Sequence, residues 1–105
     1  MATSKSYFNF TIDQLSLLDN ITCRQMMGEY LIYYCKKLCA YVCDDRLLVK
    51  ILPSTQKLLA NAQKQKPYDG AKDMYLVEDV DDKEFLRDLF EAMFPELPYP
   101  QRKKN

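Results

Sequence analysis

The feature that most constrains this chain is the stretch from Met26 to Lys50, which holds one glycine and no proline among twenty-five residues. It is dense in Tyr, Ile, Val, Leu and Cys, side chains that suit a pleated, half-buried surface. Lys36-Lys37 and Asp44-Asp45 divide it into pieces of strand length. The pattern therefore predicts a meander of antiparallel strands joined by tight turns.

The spacing predicts strands at Ile21 to Met26, Tyr30 to Cys35, Leu38 to Cys43 and Arg46 to Ile51, with Gly28 reversing the chain after the first. If Lys36-Lys37 and Asp44-Asp45 are two-residue loops, Leu31, Tyr33, Cys35, Leu38, Ala40, Val42, Leu47 and Val49 share one face. That face is almost entirely aliphatic and is expected to meet the helices. Tyr30, Ile32, Tyr34, Cys39, Tyr41, Cys43, Arg46, Leu48 and Lys50 fall on the other. A one-residue slip at either turn would exchange faces in the strands beyond it.

Helical signals flank the meander. Ser4 reads as the N-cap of a helix over residues 4–19, with Phe8, Ile12, Leu15 and Leu18 at helical spacing and Asn20 at a left-handed end. Ser54 reads as the cap of a short helix to about Asn61, with Leu58 and Leu59 as its apolar contact. Residues 62–72 read as a polar connection with turn chemistry at Pro67-Tyr68-Asp69-Gly70, and Asp73 to Glu78 as a fifth strand. Asp81 and Glu84 form a capping-box-like pair before a stripe of Phe85, Leu86, Leu89, Phe90 and Met93, with Val80 placed to staple onto Phe85. Pro95 stops that helix. The expected fold is α+β in two layers, α-β-β-β-β-α-β-α, with an antiparallel sheet of about five strands and helices on one face. Residues 1–97 form one domain in this reading, and 98–105 a disordered basic tail ending in Arg102-Lys103-Lys104.

Composition narrows the chemistry. A chain of 105 residues can bury about 65% of its unfolded surface without staples. Fifteen basic and fifteen acidic residues cancel, so no global field draws the protein to nucleic acid or membrane. No leader-like or membrane-spanning run is present, which points to the cytoplasm and reduced thiols. The absence of histidine removes Ser-His and Cys-His pairs and His-bearing metal sites, and two glycines cannot build a phosphate-cradling loop. The expectation is a non-enzyme without a cofactor. Asp44 and Asp45, the remaining catalytic candidates, sit where a turn itself favours aspartate.

Three groups of residues invite a functional reading. Cys35, Cys39 and Cys43 fall four apart, but a run of this spacing through a hairpin does not wrap a tetrahedral metal, so buried thiols are expected. Arg46 could favour a thiolate nearby. Glu78, Asp79, Asp81, Asp82 and Glu84 lack the spacing of a calcium loop and suit a helix N-terminus instead. The third group is the face bearing Tyr30, Tyr34, Tyr41, Arg46 and Lys50. Tyrosines beside cations on a sheet suit a protein interface or homodimer first, coverage by the chain's own tail or second helix next, and weak nucleic-acid contact third.

Four motifs stand out in order: Met26-Met27-Gly28-Glu29-Tyr30, Asp44-Asp45-Arg46-Leu47-Leu48-Val49-Lys50, Tyr68-Asp69-Gly70-Ala71-Lys72-x-Met74 and Asp81-Asp82-x-Glu84-Phe85-Leu86. In their order and spacing the chain resembles the amino-terminal domain of the TfoX/Sxy competence-regulator family. One departure is Lys36, at a turn where glycine is expected. The resemblance implies a compact α+β domain without catalytic residues. Two-domain members of the family, which are linked to activation of DNA-uptake genes alongside a cyclic-AMP receptor protein, carry a helical carboxy-terminal domain after it. This chain looks like a stand-alone form, a small regulatory or adaptor module acting by protein contact.

Overall fold

A computed structural model describes residues 4–26 and 29–98. The elements follow in the order α1 (Lys5–Gln14), β1 (Ile21–Met26), β2 (Glu29–Tyr34), β3 (Lys37–Cys43), β4 (Arg46–Val49), α2 (Pro53–Leu58), β5 (Lys64–Gln65), β6 (Met74–Val77) and α3 (Lys83–Met93). A 3-10 turn at Phe94–Glu96, which contains Pro95, ends the last helix. One antiparallel sheet of six strands runs β1-β2-β3-β4-β6-β5, so the fold is α+β as its patterning implies. The additional strand, β5, is a two-residue pairing inside the polar connection. The expected turn at Gly28 and the tail beyond Pro98 lie outside the described residues. Among the described residues, no helix is long and apolar enough to cross a membrane.

Helix α1 starts where the sequence indicates, with the Ser4 hydroxyl accepting the Tyr7 N–H. It is shorter than expected, because after Gln14 the chain tightens into Leu15–Ile12 and Leu18–Leu15 backbone bonds. Leu15 and Leu18 still reach the core from this turn. Asn20 takes a φ of 62°, the left-handed conformation that turns the chain into β1.

The two remaining caps differ from expectation by one or two residues. Leu52, not Ser54, precedes α2, where Pro53 occupies the first turn and the Thr55 hydroxyl accepts the Leu52 N–H at 2.7 Å. Proline is suited to that position because its missing N–H would be unbonded there anyway. Ser54 instead directs its backbone N–H to Glu96. At α3 the cap is Asp82, whose carboxylate accepts the Phe85 N–H at 3.0 Å, and not Asp81. Asp82→Ala is expected to cost about 1 kcal/mol of stability. Asp81→Ala should stay within about 0.5 kcal/mol of the parent. Urea titration of both variants tests the assignment, which fails if the Asp81 change is the costlier.

The core lies between the sheet and the three helices. Leu86, Leu89, Phe90 and Met93 of α3 are fully buried against Ile32, Val42, Leu47 and Val49 from the central strands. Leu15 and Leu59 join them from the other helical segments. Val80 and Phe85 are part of the same cluster, although with Asp82 as the cap they do not hold the positions of a staple.

The β2–β3 turn is displaced by one residue from the loop expected at Lys36-Lys37. It is formed by Cys35 and Lys36, with φ of 50° and 70°, and β3 already begins at Lys37. The pairing is Tyr34 with Lys37 and Tyr33 with Leu38, then shifts to Ile32 with Ala40 and Tyr30 with Val42. Cys39 is the extra residue at this bulge, which explains why it and Ala40, though consecutive, both join the helix-side core. The second turn is Asp44-Asp45 as expected, with φ values of 53° and 55°. Two positive φ values in a two-residue loop match the twist of the flanking strands.

This slip corrects the expected faces. Tyr30, Ile32 and Tyr34 look toward the helices, whereas Leu31, Tyr33 and Leu38 pair into the opposite face. Ala40, Val42, Leu47 and Val49 lie on the helix side as expected. Tyr41, Cys43 and Leu48 lie on the outer side, packed with Met74 and Leu76 of β6.

Candidate functional site

The five residues expected to form one interaction face do not share a face. Tyr30 stacks on Phe8 of α1, with ring centroids 3.7 Å apart and 13° between planes. Tyr34 meets the edge of Phe94 at 5.4 Å, and burial raises its hydroxyl pKa. Both rings therefore fasten helical segments to the sheet. The chain covers part of the expected patch with itself, through Phe8 of α1 and through Phe94.

Arg46 is also used internally. Its Nε donates to the Cys43 carbonyl at 3.3 Å, one terminal nitrogen donates to Gln65 Oε1 at 2.7 Å, and the other to the Lys66 carbonyl at 3.3 Å. The rigid fork of guanidinium suits such a three-way tie, and here it holds β5 and the following loop against the β3–β4 turn. The thiol that Arg46 approaches is Cys43, at 3.8 Å. Burial nevertheless raises the Cys43 pKa, outweighing the pull of the guanidinium, and the thiol donates to the Pro67 carbonyl. Cys39 is held higher still, at about 12, by burial. These are the inert, packed thiols of a core, and the bulge sends Cys39 and Cys43 to opposite sides of the sheet. Among the described residues, no three Cys, Asp or Glu side chains converge where they could hold a cation.

Asp44 and Asp45 are accounted for by their turn, and Asp45 also accepts the Ser4 N–H at 2.8 Å, tying the start of α1 to the hairpin. Within the acidic cluster, Asp82 serves as the α3 cap.

What remains of the expected patch is Tyr41 and Lys50, and the structure adds neighbours that no strand pattern could supply. The segment 67–74 folds back over the outer face so that Tyr41, Lys50, Tyr68, Lys72 and Met74 line a groove of about 610 Å³. Burial raises the Tyr41 pKa, and the nearby hydroxyls of Tyr68 and Tyr33 and the Glu29 carboxylate add to it. Tyr33, Tyr41 and Tyr68 thus form the tyrosine group of the outer face. Beside them β1 lies at the sheet's margin, with every residue from Thr22 to Met26 exposed and Met26 at 53% exposure.

The whole sheet and all of the groove fall within residues 13–92, which match the family model of the TfoX N-terminal domain. The chain belongs to that family. It is also similar to an uncharacterised 12.7 kDa protein encoded 5′ of trpE in Spirochaeta aurantia, with 32% identity over 105 residues. The match takes in 99% of this chain and 91% of that protein, so the two are similar over nearly their whole lengths.

Proposed function

We propose that this TfoX N-terminal domain is a non-enzymatic regulatory module that acts by binding a protein, either a partner or a second copy of itself, through β1 and the adjoining outer face. Family membership supports a competence-related regulatory role. The observation that carries the surface is the state of β1: a six-residue strand with one side paired to β2 and five of its residues exposed. An unpaired strand edge presents a row of backbone donors and acceptors that another chain can extend. Met26, Tyr33 and Tyr41 would add apolar and aromatic contact beside it, the residue types enriched at interfaces.

The test is sedimentation velocity of the purified domain, alone and with a captured partner, for the parent and a Met26→Glu/Tyr33→Glu double variant. We expect a dimer or a stoichiometric complex that the double variant loses while its circular dichroism is unchanged. Equal association by the variant overturns the proposed surface. Tyr34 is unsuitable for such a test, because it packs against Phe94 and its replacement would disturb the fold.

The alternative function is a nucleic-acid-binding accessory protein. It retains Tyr41 and Lys50 but loses Tyr30, Tyr34 and Arg46 to internal contacts. Balanced charge argues against strong binding of a polyanion, and this reading requires affinity that falls steeply with salt.

A further inference from the structure

We propose that the groove between β3, the segment after β4 and the loop 67–74 is a binding site for a free mononucleotide-sized ligand, a planar ring carrying an anionic group. Its volume of about 610 Å³ falls within the range of small-molecule pockets. The floor is apolar, formed by buried Pro67 and Met74 with half-buried Leu52. Tyr41 borders it from the sheet and Tyr68, 53% exposed, from the loop. Two phenol rings beside an apolar floor suit a flat aromatic guest.

The charge at the rim selects an anion. Lys50 and Lys72 both line the groove, and among the described residues neither is in an ion pair. The one lining carboxylate, Asp73, is already matched by Lys66 at 2.8 Å, and that contact lowers its pKa. The groove therefore has two lysines in its lining beside an aromatic and apolar bed. Gly70 has a φ of 86°, and no atom lies within 4 Å of where a Cβ on it would stand. The loop wall is thus open there for a guest to approach the backbone. A free ligand fits better than a strand of nucleic acid, because the cations are confined to one pocket and the whole chain has no net charge.

The experiment titrates isotopically labelled protein with ribonucleoside 5′-monophosphates, following amide and tyrosine-ring resonances. Adenosine, inorganic phosphate and a short single-stranded oligonucleotide serve as comparisons. We expect saturable shifts centred on Tyr41, Lys50 and residues 67–74, with adenosine and phosphate each binding more weakly. A Lys50→Gln/Lys72→Gln variant should lose about tenfold in affinity, as removal of charge-assisted contacts implies, while its remaining spectrum stays in place. Absence of saturable shifts, shifts located elsewhere, or equal affinity in the double variant overturns the site. An oligonucleotide that binds more tightly than any mononucleotide overturns the free-ligand assignment in favour of nucleic acid. The β1 surface is tested separately by association, so failure of either proposal leaves the other standing.

Discussion

Phe90→Ala is expected to lower stability by about 3–5 kcal/mol, the cost of emptying a buried aromatic site that its surroundings can only partly refill. Phe90 is 0% exposed and lies where α3 crosses the central strands, in contact with the cluster that all three helices share. A domain of this size has roughly 5–15 kcal/mol in total, so the variant should stand close to the edge of folding. The corresponding fall in midpoint temperature is about 15–25 °C. Phe10→Ala is the control. That ring is 42% exposed, and its removal should change stability by no more than about 0.5 kcal/mol. Urea titrations of the two variants at equal m-value decide the matter. A cost for Phe10 equal to that for Phe90 would place the core elsewhere.

The second large effect concerns a residue that a sequence reading puts in solvent. Lys37→Ala should cost about 2–3 kcal/mol, the range of a charge-assisted hydrogen bond together with a cation–aromatic contact. Lys37 is 3% exposed; its Nζ donates to the Phe94 carbonyl at 2.9 Å and sits 4.0 Å from the centre of the Phe94 ring. That carbonyl lies at the carboxy-terminal end of α3, where the helix dipole favours a cation. The neighbouring Lys36 should behave in the opposite way. It is exposed and holds a φ of 70°, a conformation that strains any side chain bearing a Cβ. Lys36→Gly is therefore expected to stabilise by about 0.5–1 kcal/mol. Chemical denaturation of the pair checks both signs. If Lys37→Ala is as mild as a surface change, the contact with Phe94 does not anchor α3 to the sheet.

These two lysines show why the candidate site was only partly legible. Adjacent charged residues are a sound turn signal, and a turn does occur there. The loop is Cys35-Lys36, however, because Lys37 and Tyr34 both gain by facing Phe94, a residue 57 positions from Lys37 along the chain. No local pattern contains that contact. The displacement puts Tyr30 and Tyr34 on the helix side and brings Tyr33 out. Arg46 reads as an exposed cation for a similar reason: its partners Gln65 and Lys66 meet it only after the chain has crossed α2. The groove was illegible for the same cause, being assembled from β3, the segment after β4 and a loop that returns across the sheet.

Local chemistry is enough to specify a large part of this domain. Alternation and β-branched content define the four-strand meander, and paired aspartates define its second turn. The apolar stripe of α3 and the hydroxyl cap of α1 define two helices, and the order of motifs identifies the family. Three features depend instead on long-range packing: the buried face of β2, the position of the extra residue in β3, and the bringing together of Lys50 and Lys72 at the groove. The physical reason is that strand pairing has a period of two residues. A single-residue shift leaves the local hydrogen bonding almost unchanged but exchanges every side chain between core and solvent. The energy that selects between those registers comes from Phe8, Phe94 and the α3 core packing on the sheet, contacts made only when distant parts of the chain meet.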